Sequence, residues 1–225
     1  MTRGWRTRGS ALALLGVVLA ACGGGSGKGD ANVTTAPAAV VSSETPATTP
    51  LKAGELAGPL VISPARSAPQ ISLHDQDGKP FKLSSLRGKA VYLTFVYSHC
   101  PDVCPLMLQA LGAAKKKLKD PSSMQIVAVS VDPKGDTPKA VKSFLAGRLL
   151  TGKVTWLLGT RAQLRPVWER YNILAKSVPQ TPAIIEHVSL IYGIDAKGRM
   201  RVGYPASPLK SAWISHDAPI LASAK

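Results

Sequence analysis

The sequence predicts an α/β domain, thioredoxin-like in its later details: a central mixed β-sheet flanked by helices, with an N-terminal β-hairpin. Two observations carry the α/β class. Downstream of residue 66, short apolar runs alternate with segments of helical period. The strongest run, Ala90–Tyr97 (AVYLTFVY), is β-branched and aromatic almost without a break, as a strand covered on both faces requires. An apolar share of 45% is enough for one core, and with aromatics at 5% that core must be mostly aliphatic.

Ile71-Ser72-Leu73 and Phe81-Lys82-Leu83 are short alternating runs with Asp77-Gly78 between them, the pattern of a hairpin. The Ala90–Tyr97 strand stops at Ser98-His99-Cys100-Pro101. A helix follows to about Lys119, with Asp102 as its cap and Leu106, Ala110 and Leu111 on one face. Gln125–Val131 is the next strand. Asp136 and Pro138 open a helix to about Ala146, with proline inside the first turn. Val154–Leu158 is a strand, and Thr160 caps a helix carrying Leu164, Val167, Trp168 and Tyr171 on one side. His187–Asp195 and Arg199–Tyr204 form a hairpin around Lys197-Gly198, and a last helix follows Pro208. A central strand ending in a cysteine pair at a helix start is the thioredoxin arrangement.

The N-terminus reads as an address. Residues 1–9 carry three arginines and no acid, and residues 11–21 are apolar but too short to span a bilayer. This is the build of a secretory signal. Its end, Leu19-Ala20-Ala21-Cys22-Gly23, resembles the bacterial lipobox, in which the cysteine is acylated and becomes the first mature residue. Residues 1–21 are therefore expected to be a lipoprotein signal peptide and Cys22 a lipid anchor on the extracytoplasmic face of a bacterial cell membrane. Residues 22–65 are expected to be anchor and linker, too rich in Gly, Ser, Thr, Ala and Pro to bury a core. The folded domain is expected at 66–225.

The formal net charge is +15. A basic surface suits nucleic acid, anionic lipid or an acidic protein. Lysines and arginines are scattered, apart from Lys115-Lys116-Lys117 on a helix, and no nucleic-acid motif accompanies them, so nucleic acid is not an expected partner.

Three cysteines cannot form a closed disulfide framework, and Cys22 is explained by the leader. Cys100 and Cys104 stand at i and i+4 on one side of a helical turn, with Cα atoms roughly 6 Å apart. A disulfide and a shared metal ion are both within reach. The helix N-terminus favours the thiolate that either chemistry needs. A purely structural disulfide is a poor reading, because so small a loop gains little from closure.

Phe95-Val96-Tyr97-Ser98-His99-Cys100-Pro101-Asp102-Val103-Cys104-Pro105 resembles the core motif of the Sco/SenC family of copper-binding oxidase assembly proteins. Val129-Ser130-Val131-Asp132-Pro133-Lys134-Gly135-Asp136-Thr137-Pro138 is similar to a second motif of that family. Glu186-His187-Val188-Ser189-Leu190 resembles a third, where the family more often has Asp before the His. The resemblance runs from about Gln70 to Tyr204. It implies a thioredoxin-like fold and one copper, Cu(I) or Cu(II), held by Cys100, Cys104 and His187. It also implies delivery to the cytochrome c oxidase subunit that carries the dinuclear copper centre, with an upstream copper donor or thiol reductant. Soft thiolates and imidazole suit copper, whereas structural zinc wants four ligands. His99 adjoins Cys100, where it can reach the metal or tune the thiols. His74 and His216 read as solvated, and Asp132 as a strand-end turn.

The alternative function is thiol–disulfide oxidoreduction on an exported protein, with Cys100 and Cys104 as the redox pair and no need of His187. Peroxidase chemistry would place the cysteine in a Pro-x-x-x-Thr-x-x-Cys context, which is absent here: position 97 is Tyr.

Overall fold

The computed structural model describes residues 51–178 and 181–224. The expected leader at 1–21, the acylation site Cys22 and the linker up to residue 50 lie outside the described residues. In chain order the elements are β1 (Leu60–Ser67), β2 (Ser72–Asp75), β3 (Pro80–Lys82), β4 (Ala90–Val96), α1 (Val103–Lys116), β5 (Met124–Ser130), α2 (Pro138–Ala146) and β6 (Val154–Leu158). They continue with α3 (Arg161–Arg170), β7 (Lys176–Val178), β8 (Thr181–Glu186), β9 (Leu190–Ile194), β10 (Arg199–Pro205) and α4 (Ser211–Ala222).

One sheet has the order β1-β10-β9-β4-β5-β6-β2-β3, and β7 pairs with β8 in a separate ribbon. β4 and β5 run parallel, as do β5 and β6, while β9 lies antiparallel to β4. The sheet is therefore mixed. All seven residues of β4 are buried, which is why its sequence shows no polar face.

Side-chain alternation along β4 sorts the helices. Tyr92 donates to the Ile214 carbonyl of α4 at 3.0 Å, and Thr94 lies on the Met107 sulfur of α1. In register with Thr94 come Ala128 and then Trp156, whose ring meets Phe144 of α2 edge-on at 5.3 Å. So α1, α2 and α4 share one face. On the other face Phe95 packs against Tyr171, at the end of α3, with centroids 5.4 Å apart. Trp156 is fully buried, and its Nε1 is the one buried side-chain nitrogen or oxygen without a hydrogen bond among the described residues.

Four expectations change. β1 occupies residues 60–67, six of its eight residues inside the 22–65 segment read as linker, so the strands begin earlier than residue 66. Most of its side chains are exposed, and Pro64 sits within it, as an edge strand tolerates. It is held by backbone pairing with β10, which leaves little trace in hydropathy. Ahead of it, Leu56 is buried, and the Ala57 and Gly58 amides donate to the Asp217 carboxylate of α4 at 2.7 and 2.9 Å. Tyr204 OH donates to the same buried group at 2.7 Å, and His216 Nδ1 meets it at 2.8 Å. His216 is exposed, as expected, and its ring reaches this carboxylate from the solvent side. A Cβ on Gly58 would lie 2.4 Å from Val202 and 2.5 Å from Tyr204, so only glycine lets the chain pass here.

Second, α1 buries Cys104, Met107, Leu108, Leu111 and Ala114, while Leu106 is 60% exposed. The helical stripe counts from Cys104, and Leu106 falls two residues off it, toward solvent. Third, the strand expected from His187 begins at Leu190. Fourth, α2 is capped by Thr137, whose Oγ1 accepts from the Ala140 amide at 3.2 Å, and not by Asp136. At α3 the cap is as expected: Thr160 and Gln163 form a reciprocal capping box.

Candidate metal centre

The buried β4 strand delivers its last residues to the sheet's edge of solvent, and the chain turns there into α1. Cys100 N–H closes the turn onto the Tyr97 carbonyl at 3.2 Å. Asp102 stands at the cap position of α1, yet its side chain makes no capping bond. A sulfur substitutes: Cys104 N–H, an otherwise orphaned first-turn donor, points at Cys100 Sγ at 3.4 Å. The i, i+4 spacing thus joins the two cysteines through the helix start. Both are free thiols; Cys100 is 8% exposed and Cys104 fully buried.

Their protons are unequally held. Cys100 is pulled down to about 5, chiefly because the Cys104 thiol donates to it, with help from the Asp102 and Cys104 amides and the Tyr97 side chain, and against the cost of burial. Cys104 is pushed up, first because it donates to Cys100 and then by burial. The stable arrangement is one thiolate, on Cys100, and one thiol.

His187 is half-buried just before β9. Its ring meets the Tyr97 ring edge-on, with centroids 6.2 Å apart. Its Nδ1 faces the Val188 carbonyl at 3.2 Å, which places the proton on Nδ1 and the lone pair of the neutral ring on Nε2. Burial, the largest influence, lowers its pKa and favours the neutral ring a metal needs, although the charge on Cys100 works the other way. Among the described residues, no three of His, Cys, Asp and Glu converge closely enough to hold a metal ion. The structure brings Cys100 and Cys104 together at the start of α1 and seats His187 against the Tyr97 ring. The donor set, two soft sulfurs and one neutral imidazole, fits a copper ion.

Asp132 makes the expected turn, its Oδ1 accepting from the Lys134 and Gly135 amides at 3.2 and 2.9 Å. His99 lies exposed beside that turn, with Nδ1 3.2 Å from Ser98 Oγ. A Cβ on Gly135 would fall 2.1 Å from Asp132 Oδ2 and 3.1 Å from His99 Nδ1, so glycine permits this approach. His74 is exposed on β2.

Two residues of the site were not singled out from the sequence. Tyr97 contributes both to the Cys100 thiolate and to the seat of His187. Asp136, 5% exposed, accepts from the Ser98 amide at 2.7 Å and from Ser130 Oγ at 2.6 Å. A signal existed for Asp136: Thr137-Pro138 already supplies a complete cap and first-turn proline, which leaves the preceding acid without a helical role.

The sequence model of a protein family described as SCO1/SenC matches residues 62–216. Protein SCO2, mitochondrial, of Saccharomyces cerevisiae is 33% identical over 134 residues, 57% of this chain; the chain spans 44% of that protein's length. The structure of Bradyrhizobium japonicum ScoI with copper bound is 30% identical and superposes with a TM-score of 0.58, covering 70% of this chain and 99% of that one. A SCO1/SenC family lipoprotein from Bacillus anthracis is 25% identical, with a TM-score of 0.62 over 72% of this chain and 99% of the other.

Proposed function

The chain belongs to the SCO1/SenC family, and on that premise we propose that it is an extracytoplasmic copper chaperone that supplies the dinuclear copper centre of cytochrome c oxidase. Copper is its cargo, one ion per domain, taken by Cys100, Cys104 and His187. The observation that carries the reading is the cysteine pair itself: two free, adjacent sulfurs at a helix start, the first held below the ordinary thiol range. Thiolates select Cu(I), and a neutral imidazole accommodates Cu(II) as well. The copper-bound relative from Bradyrhizobium supports the choice of metal. A ligand that arrives from outside the pair suits a carrier, because withdrawing His187 opens the site for release. The lipoprotein relative supports anchoring through Cys22.

Copper titration of the full chain, by competition against a chelator of known affinity, tests this. One copper per chain is expected, with Cys100→Ala and Cys104→Ala losing it and His187→Ala weakening it at least tenfold. Tighter binding of zinc than of Cu(I) in direct competition would refute the metal.

The unequal thiols favour a second reading, a thiol–disulfide oxidoreductase in which Cys100 attacks and Cys104 resolves. His187→Ala separates the two. A carrier loses copper binding and oxidase assembly in cells while its dithiol still cycles. Normal assembly in that variant would assign the function to the reductase.

A further inference from the structure

The cysteine loop does not hold itself in place. Two residues after β4 ends, Ser98 N–H donates to Asp136 Oδ1 at 2.7 Å, across 38 residues of sequence. The other oxygen of Asp136 accepts from Ser130 Oγ at 2.6 Å, at the end of β5. Ser130 is itself fixed twice: its Oγ accepts from the Asp132 amide at 3.1 Å, and its carbonyl accepts from Trp168 Nε1 of α3 at 2.9 Å. Asp136 N–H closes the loop onto the Asp132 carbonyl at 2.9 Å. The carboxylate is buried, makes no helix cap and pairs with no cation among the described residues.

A buried acid with this set of partners is costly unless something is gained. Its two acceptor oxygens hold one donor from the cysteine loop and one from β5, so they set the separation between the two. Two residues beyond Ser98, Cys100 Sγ accepts from the Cys104 amide at 3.4 Å, so a displacement of the loop passes directly to the sulfur.

We propose that Asp136 is a positioning residue for the Cys100–Cys104 pair: a strut between the β4–α1 loop and β5 that keeps the two sulfurs assembled before a ligand or partner arrives. The proposal rests on the reading of that pair as the working group, whether for copper or for electrons.

The test compares two variants of the full chain. Asp136→Asn keeps the shape and both contacts, its carbonyl oxygen accepting from Ser98 N–H and its amide donating to Ser130 Oγ, which can also accept. Asp136→Ala removes both. Whatever the buried charge contributes is lost in each, so the difference between them isolates the strut. Two quantities are read: copper affinity, and the reduction potential of the metal-free pair against a glutathione series. Relative to Asp136→Asn, Asp136→Ala is expected to bind copper about tenfold more weakly. Its dithiol–disulfide equilibrium is expected to shift about tenfold toward the disulfide, read as about 30 mV more negative. Equal values in the two variants overturn the proposal. If Asp136→Ala does not fold, Ser130→Ala removes one of the two contacts; a dithiol–disulfide equilibrium constant and a copper affinity within about twofold of wild type then overturn it equally. Failure of the wild-type chain to bind copper would refute the copper reading alone, since the potential is measured without metal.

Discussion

At the scale of single residues, the behaviour of the site comes from the inequality of two thiols four positions apart in sequence and one hydrogen bond apart in space. Cys100, drawn down to about 5 from an ordinary 9.0, stabilises the fold where it is ionised. That contribution is fully present above the ordinary thiol value and is lost as pH falls through about 5. Cys104, pushed up, acts in the opposite sense and only in alkali. Alkylation by iodoacetamide should therefore follow a midpoint near pH 5 at Cys100, with Cys104 protected until the chain unfolds. Equal labelling of both with a midpoint near 9 would contradict the assignment; peptide mass spectrometry reads it. The cysteines were visible in the sequence because their relation is local, a spacing along one helical turn. His187 came only through resemblance to a family, since on hydropathy it is a strand-end histidine. Asp136 and Tyr97 work through partners brought near by the sheet, and no short-range pattern announces such contacts.

Among the elements, α1 shows how much rests on where a helix starts. Reading the face from Leu106 put the wrong leucine inside; counting from Cys104 gives the observed stripe. Leu108→Ala should cost about 3 kcal/mol, as removal of a fully buried aliphatic side chain does. Leu106→Ala, on the solvent side, should stay within about 0.5 kcal/mol. Urea denaturation with an unchanged slope checks both, and the reverse ranking would restore the original face. The strands β4, β5 and β6 were legible from their length and β-branched content. β1 was not, because an edge strand held by backbone bonds need not alternate. β7 and β8 were not, because Pro179 and Pro182 argue against a strand by composition.

For the whole molecule, the architecture sets where the chain would be attached and where it would work. The described fold begins at Leu56–Gly58, fastened to α4 by the Asp217 carboxylate, and the cysteine pair lies at the end of the central strand. Attachment through Cys22 is the proposal that gives this layout a membrane. Cys22→Ala should leave the protein unacylated and move it from the membrane fraction to the soluble one. Mass spectrometry of the mature N-terminus decides it, and an unmodified Cys22 in the wild type would end the idea. The fold class was readable in full, because alternation of strand and helix is written into hydrophobic period. The domain's start was not, because it depends on backbone donors meeting one buried acid 160 positions later.

The two interior indoles also make the protein optically self-reporting. Trp156 is fully buried against Phe144, so it should emit far to the blue, and its red shift records unfolding. Trp168 instead donates to the carbonyl of Ser130, whose hydroxyl donates to the Asp136 carboxylate that also holds the cysteine loop. Light from one indole follows the core, and light from the other follows the site.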